Sequence, residues 1–265
     1  MDAIAVVLVL CSSFVHALWN ARTHRDADRR ATLAVSYVVG ASVLSPWLIM
    51  DPPVEVLGLV LISACLHAAY ITALSAAFDR GALAVTYPIA RGSAPLVVAA
   101  LGVWVLGQSS SVVTVMGAVL VGVGLLLIGN VGFGAGERAS VWVALITGAV
   151  IGGYTLIDAR AVEDVNGWAF FSASSYLGVL IAVGANRMSL SRLRASARSG
   201  ALVGVASSTS YALVLVAYTR ADAANVATLR STSILFGLAL VPRTLTRPLI
   251  AGAVLAVVGV TMVTL

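Results

Sequence analysis

Lysine is missing from this 265-residue chain: all sixteen of its basic residues are arginine. Charge of either sign is scarce, at 10% of residues against 60% apolar, with a mean hydropathy of +1.02. A soluble domain carries about 25% charged residues, so the composition excludes a water-exposed globule and points to an integral membrane protein. The net charge of +5 and pI of 9.7 would ordinarily raise nucleic-acid binding. Basic patches interleaved with aromatics are lacking, however, and no nucleic-acid partner is expected. Cysteine is limited to Cys11 and Cys65, both inside apolar runs and without CxxC or Cys/His spacing. Packing as small buried hydrophobes is the expectation, with no metal and no other cofactor. A nucleophile–base set, metal-ligand spacing and a phosphate loop are all missing, which argues against an enzyme. No basic stretch precedes the first apolar run, so no cleavable signal peptide is expected and the first span stays in the protein.

Long apolar runs are what the chain has in plenty. Ten stretches of about 20 residues, the length that crosses a bilayer, lie at 3–21, 31–50, 55–78, 82–107, 111–130, 139–157, 168–186, 200–219, 223–241 and 248–265. The expected fold is all-α, with ten transmembrane helices joined by short connections. Alternate loops carry the basic charge. With Met1 outside, the inside loops hold Arg22, Arg25, Arg29, Arg30, Arg80, Arg138, Arg187, Arg192, Arg194, Arg198, Arg243 and Arg247; the outside loops hold only Arg160 and Arg220. The positive-inside rule then places both chain ends outside the cytoplasm. Trp19, Trp47, Trp104, Trp142 and Trp168 fall near span ends, where aromatic belts form, and are expected to be interfacial anchors.

The two halves of the sequence match one another. Ala21-Arg22 matches Ala159-Arg160 at an offset of 138, Arg80 matches Arg220 at 140, and Arg91-Gly92-Ser93 matches Arg230-Ser231-Thr232 at 139. Gly117-Ala118-Val119-Leu120 with Gly124 matches Gly252-Ala253-Val254-Leu255 with Gly259 at 135. The expected units are 1–138 and 139–265, each of five spans. An odd number of spans turns the second unit upside down, and the charges follow: the Arg-rich first loop has an acidic counterpart at Glu163-Asp164. Acidic Asp51 and Glu55 likewise correspond to the basic run from Arg187 to Arg198. Inverted repeats of this kind build many secondary transporters, with the substrate near the midplane between the halves.

Val85-Thr86-Tyr87-Pro88-Ile89-Ala90-Arg91-Gly92-Ser93-Ala94-Pro95, His16-Ala17-Leu18-Trp19-Asn20, Arg230-Ser231-Thr232-Ser233 and the helix from Gly252 to Gly259 resemble signatures of the drug/metabolite transporter superfamily, in its EamA-like family. The resemblance covers nearly the whole chain. It implies export of a small molecule across a bacterial inner membrane by alternating access. Many relatives place a Glu at the end of the fourth and ninth helices; Gln108 and Pro242-Arg243 stand in those places here.

Arg91 and Arg230 lie deep inside apolar runs, whereas the other arginines sit at span ends. Arg91 is about nine residues into its helix, near 14 Å at 1.5 Å per residue. A cation at the centre of a lipid-facing helix costs about 2.5–3.5 kcal/mol, so both should face protein or a watery cavity. Arginine also suits bidentate capture of carboxylate or phosphate. No Asp or Glu falls in the middle third of any span, and Asp158, matching Asn20, reads as an interfacial cap. That pattern favours an anionic or zwitterionic metabolite over a cationic drug and leaves proton coupling without an obvious carrier. His16 and His67 are the titratable groups near neutral pH inside spans, read either as hydrogen-bonded structural residues or as a relay. Pro88 and Pro95 flank Arg91 and should bend its helix. Tyr70, Tyr87, Tyr154 and Tyr211 carry polar tips that could line a cavity or pack between helices. The expected substrate-binding set is Arg91, Arg230, Tyr87, Ser93, His16 and His67. A small molecule and the lipid bilayer are the expected partners. Two rivals are a broad-range multidrug exporter with an aromatic cavity and a non-transporting membrane component without one.

Overall fold

The computed structural model describes residues 1–80, 83–107, 111–129, 138–239 and 246–264. Gln108, Pro242 and Arg243 lie outside the described residues. Among those described there are helices and no strand: α1 (Ala3–His24), α2 (Arg29–Met50), a short 3-10 turn (Val54–Val56), α3 (Leu57–Arg80), α4 (Leu83–Leu106) and α5 (Val112–Gly129). They are followed by α6 (Arg138–Ala161), α7 (Gly167–Ala185), α8 (Leu190–Ala195), α9 (Ala197–Tyr218), α10 (Ala223–Arg230), α11 (Ser233–Ala239) and α12 (Arg247–Thr264). Six are long and apolar enough to cross a membrane, the pattern of a multi-pass membrane protein.

Local chemistry sets the helix ends. The Asp2 carboxylate accepts the Ala5 N–H at 2.6 Å, Asp28 accepts that of Ala31 at 3.1 Å, and Asn166 accepts those of Trp168 and Ala169. Each satisfies a donor that the first turn leaves free. Gly107, with φ +65°, follows the end of α4. Two expectations about extent need correction. The helix predicted at 139–157 runs on to Ala161, which carries Asp158 inside it. The span predicted at 223–241 is interrupted after Arg230. There Thr228 and Thr232 hydrogen-bond carbonyls one turn back, at Ala224 and Leu229, and such bonds compete with helical pairing.

Helix pairing surrounds a central junction. α1 packs on α9 and α3 on α6; α2 packs on α9 and α3 on α7; α4 lies against α5 and α6, and α10 with α11 against α1 and α4. α2 meets α7, and α5 meets α12. The α5–α12 contact is backbone on backbone. A Cβ on Gly117 would stand 2.7 Å from the Gly259 carbonyl, and one on Gly124 would stand 2.5 Å from that of Gly252. Small residues permit such approach between membrane helices. Trp104 and Trp142 point outward, 86% and 66% exposed. Trp19 does not: it is buried against His16, ring centroids 4.6 Å apart. Cys11 and Cys65 are exposed on outward faces, contrary to the packing expected of them.

The chain ends meet on one face, where the Met1 amino group donates to the Thr264 carbonyl at 3.4 Å and Arg220 reaches Asp2 at 3.6 Å. At the other end of α1, Asp28 takes Arg192 Nε at 2.8 Å and Nη2 at 3.1 Å, Ser199 donates to Asp26 at 2.7 Å, and Arg29 pairs with Asp79 at 2.9 Å. The Arg192 hydrogen bond holds the Asp28 carboxyl below the usual carboxylate range. A carboxyl depressed by folding adds stability above its unfolded value and loses it as pH falls through the folded one. The stability gap between wild type and Arg192→Gln, measured by thermal unfolding in detergent, should therefore be present at neutral pH and close on acidification below the ordinary Asp value. Separately, Gly124→Leu should destabilise by about 1–3 kcal/mol or more through overpacking. Gly58→Ala, where nothing lies within 4 Å of the added carbon, should be neutral to stabilising in the same assay.

Candidate functional site

A cavity opens where the helices converge. α1 contributes His16 and Trp19, α2 Leu33, Ser36 and Tyr37, and α3 His67 and Tyr70. The lining is completed by Tyr154 of α6, Phe171 of α7, Ser207 and Tyr211 of α9, and Arg230 at the end of α10. Its volume is about 30 Å³, room for about two waters. Small-molecule sites run from about 300 Å³ upward, so admitting a metabolite requires the helices to part.

Arg230 is 5% exposed and lies over the Tyr211 ring, its Cζ 5.0 Å from the centroid, a cation–π geometry. Among the described residues its Nε–H has no hydrogen-bond partner, nor has the indole N–H of Trp19 on the same cavity. The interruption after Arg230 fixes the site's backbone. Ile234 N–H bonds the Ser231 carbonyl, and the Arg230 carbonyl takes the Ser13 hydroxyl at 3.2 Å instead. α4 offers a parallel case. Pro95 lacks the N–H that would bond the Arg91 carbonyl, and the Ser231 hydroxyl fills that place at 3.2 Å.

Arg91, 4% exposed, stands one layer behind the wall. Its Nη2 bonds the His16 ring, and Tyr87 is a further hydrogen-bond partner. Arginine has only donors, so the His16 nitrogen accepts. Asn20 anchors the same turn through its amide, which donates to the His16 carbonyl at 2.9 Å. Arg91 thus reaches the cavity through His16.

Asp158 overturns the reading of it as an interfacial cap. It is 0% exposed, accepts the Ser63 hydroxyl at 2.6 Å and the Tyr211 hydroxyl, and lies 3.8 Å from His67 Nε2. No carboxylate was expected in the middle third of any span, and Asp158 lies outside that third of α6; it is nevertheless inside the bundle because α6 continues past 157. Asp158's match at Asn20, inside α1 and buried, was the sequence signal for its depth.

The structure brings His16, His67 and Arg230 to one cavity, with Arg91 and Tyr87 behind His16; the Tyr87 ring stacks at 6.5 Å from it. Ser93 is not brought there. Its hydroxyl bonds the Ile89 carbonyl of its own helix at 2.8 Å, and its side chain packs at Gly148 of α6. Tyr37, Phe171, Ser207 and Ser63 were not singled out by sequence, for they lie in spans without a charge or a proline at that depth.

No family model matches the chain, and no curated protein matches it. A solved structure, described only as a crystal structure of a protein, aligns over 99% of this chain and 97% of its own, with a TM-score of 0.71 and 18% identity. At that identity the likeness speaks for the fold alone.

Because Ser63 and Tyr211 share one carboxylate, Ser63→Ala and Tyr211→Phe should each cost about 1–3 kcal/mol. The double variant should depart from their sum by about 0.5 kcal/mol or more. Simple additivity in detergent unfolding would show that the two hydroxyls act separately.

Proposed function

We propose that this protein is a secondary transporter of a bacterial inner membrane, moving a small anionic or zwitterionic metabolite by alternating access. Arg230 carries the reading. It is a buried guanidinium on a cavity wall, with an unpaired N–H, beside a second unpaired donor on Trp19. It forms no ion pair among the described residues. Among the described residues the buried charged groups are two guanidiniums, Arg91 and Arg230, against one carboxylate, Asp158. An incoming anion supplies the missing negative charge and the acceptor both donors need. Arg230 binds it, and Arg91 holds His16 in place on the same cavity.

Ten spans in two inverted five-helix repeats, as in the EamA-like branch of the drug/metabolite transporters, fit the packing. Exchanging α1 with α6, α2 with α7, α3 with α9, α4 with α10–α11 and α5 with α12 turns each major helix contact into another that is present or into itself. The same exchange converts the Gly117–Gly259 contact into Gly124–Gly252. Chain ends on one face fit an even number of crossings. Export is the direction the family resemblance implies.

One observation favours a second reading, a broad-range drug exporter: six of the twelve lining residues are aromatic, namely Trp19, Tyr37, Tyr70, Tyr154, Phe171 and Tyr211. A thermal-shift screen of the purified protein against carboxylate and phosphate metabolites and cationic dyes separates the two. Anions should raise the unfolding temperature, by an amount equivalent to about 2.7 kcal/mol at a hundredfold excess over Kd. The shift should vanish in Arg230→Gln and weaken in Arg91→Gln. Stabilisation by cationic dyes that survives Arg230→Gln would replace the first reading with the second.

A further inference from the structure

Asp158 and His67 make a pair that the anion site does not use. The His67 Nδ1 lies 3.0 Å from the Ser63 carbonyl, a group that can only accept. The hydrogen therefore sits on Nδ1, and in the neutral ring Nε2 is left with a lone pair. Asp158 Oδ2 lies 3.8 Å from that nitrogen. Two acceptors facing each other inside a buried cluster form a slot for a single proton. His67 lines the cavity and Asp158 lies behind it, so the imidazole is the side from which water delivers the proton.

The surroundings of the slot tie it to Arg230. From α3 come Ser63 and His67, and from α9 Tyr211, whose hydroxyl donates to Asp158, together with Tyr218. Tyr37 of α2 and Tyr154 of α6 lie against His67, with ring centroids 5.4 and 4.7 Å from it. α7 contributes the non-titratable Phe171. The cation on α4, Arg91, is engaged with His16. The remaining charge is Arg230, which rests on the Tyr211 ring whose hydroxyl touches the carboxylate.

We propose that His67 and Asp158 are a proton-binding site coupled to the cavity through Tyr211 and Arg230. One proton from water bonds to Nε2 or Oδ2 and is shared with the other atom; it leaves by the same route when the pair releases it. Whichever atom carries it, the pair gains one positive charge, which relieves the repulsion an anion on Arg230 would feel from Asp158. Proton and anion then bind cooperatively, and reciprocally so. Where the proton is taken up with the anion, affinity falls by up to about tenfold for each unit of rising pH. This coupling to an anion rests on the reading of Arg230 given above; the proton site itself does not.

The test uses the full-length protein in lipid nanodiscs with no added ligand and the proton as probe, followed by pH-difference infrared spectroscopy. Wild type should show a reversible band on acidification, a carboxylic-acid C=O band where Oδ2 carries the proton or a shifted carboxylate band where Nε2 does, that is missing from Asp158→Asn and altered in frequency in His67→Gln. Arg230→Gln removes a cation near the pair. It should move the band's midpoint to higher pH by about one unit, a tenfold change in proton affinity. Tyr211→Phe keeps the carboxylate and removes a donor to its charged form, and should move the midpoint the same way. This variant serves if Asp158→Asn fails to fold. Identical spectra in wild type and Asp158→Asn, or a midpoint indifferent to Tyr211→Phe, would overturn the proton site. A midpoint indifferent to Arg230→Gln would overturn its coupling. A failed anion screen would leave the titration intact, and a failed titration would leave Arg230-dependent anion binding intact.

Discussion

A guanidinium held inside an apolar helix must find its partners within the protein, and two such groups govern how the centre of this molecule is built. Arg91 finds a ring nitrogen and a phenol; Arg230 finds an aromatic face and keeps one donor uncommitted. Both sit where their helix cannot carry its ordinary hydrogen bonding, beside Pro95 in one case and a run of hydroxyl residues in the other. The displaced carbonyls are taken up by serines from other helices, Ser231 and Ser13. Charge, interrupted backbone and serine form one solution: open backbone is tolerated at membrane depth only where protein or cavity meets it.

Much of this was legible in the sequence. Hydropathy located the helices to within a few residues, because lipid demands long apolar runs and sets their length. The two internal arginines stood out for the same reason, and both prove buried. Which face a residue uses was harder to read. Ser93 lies two positions from Arg91, which is enough to turn it toward α6. Trp19 looked interfacial by its distance from the span end and is central because α1 runs on to His24. Asp158 was lost to a boundary: a window that stops at the first charge cannot see a helix that continues through it, since partners from α3 and α9 make that charge tolerable.

The aromatic walls and the small cavity belong together. Rings from α2, α6, α7 and α9 surround His67 and fill space that a solute would need. On the Arg-rich face, Asp28 joins the start of α2 to α8, while Asp26 joins the α1–α2 turn to α9. These ties link segments from the two halves of the sequence, close to helices that wall the cavity. They are exposed or part-buried, unlike the fully buried cluster around Asp158.

Neither α5 nor α12 contributes a side chain to the cavity, yet their glycines bring two backbones together with no space for a methyl group between them. Contact of this kind has almost no compliance: a slide of an ångström would drive carbonyl into Cα. The pair is therefore held at a fixed spacing, apart from the polar groups that line the cavity.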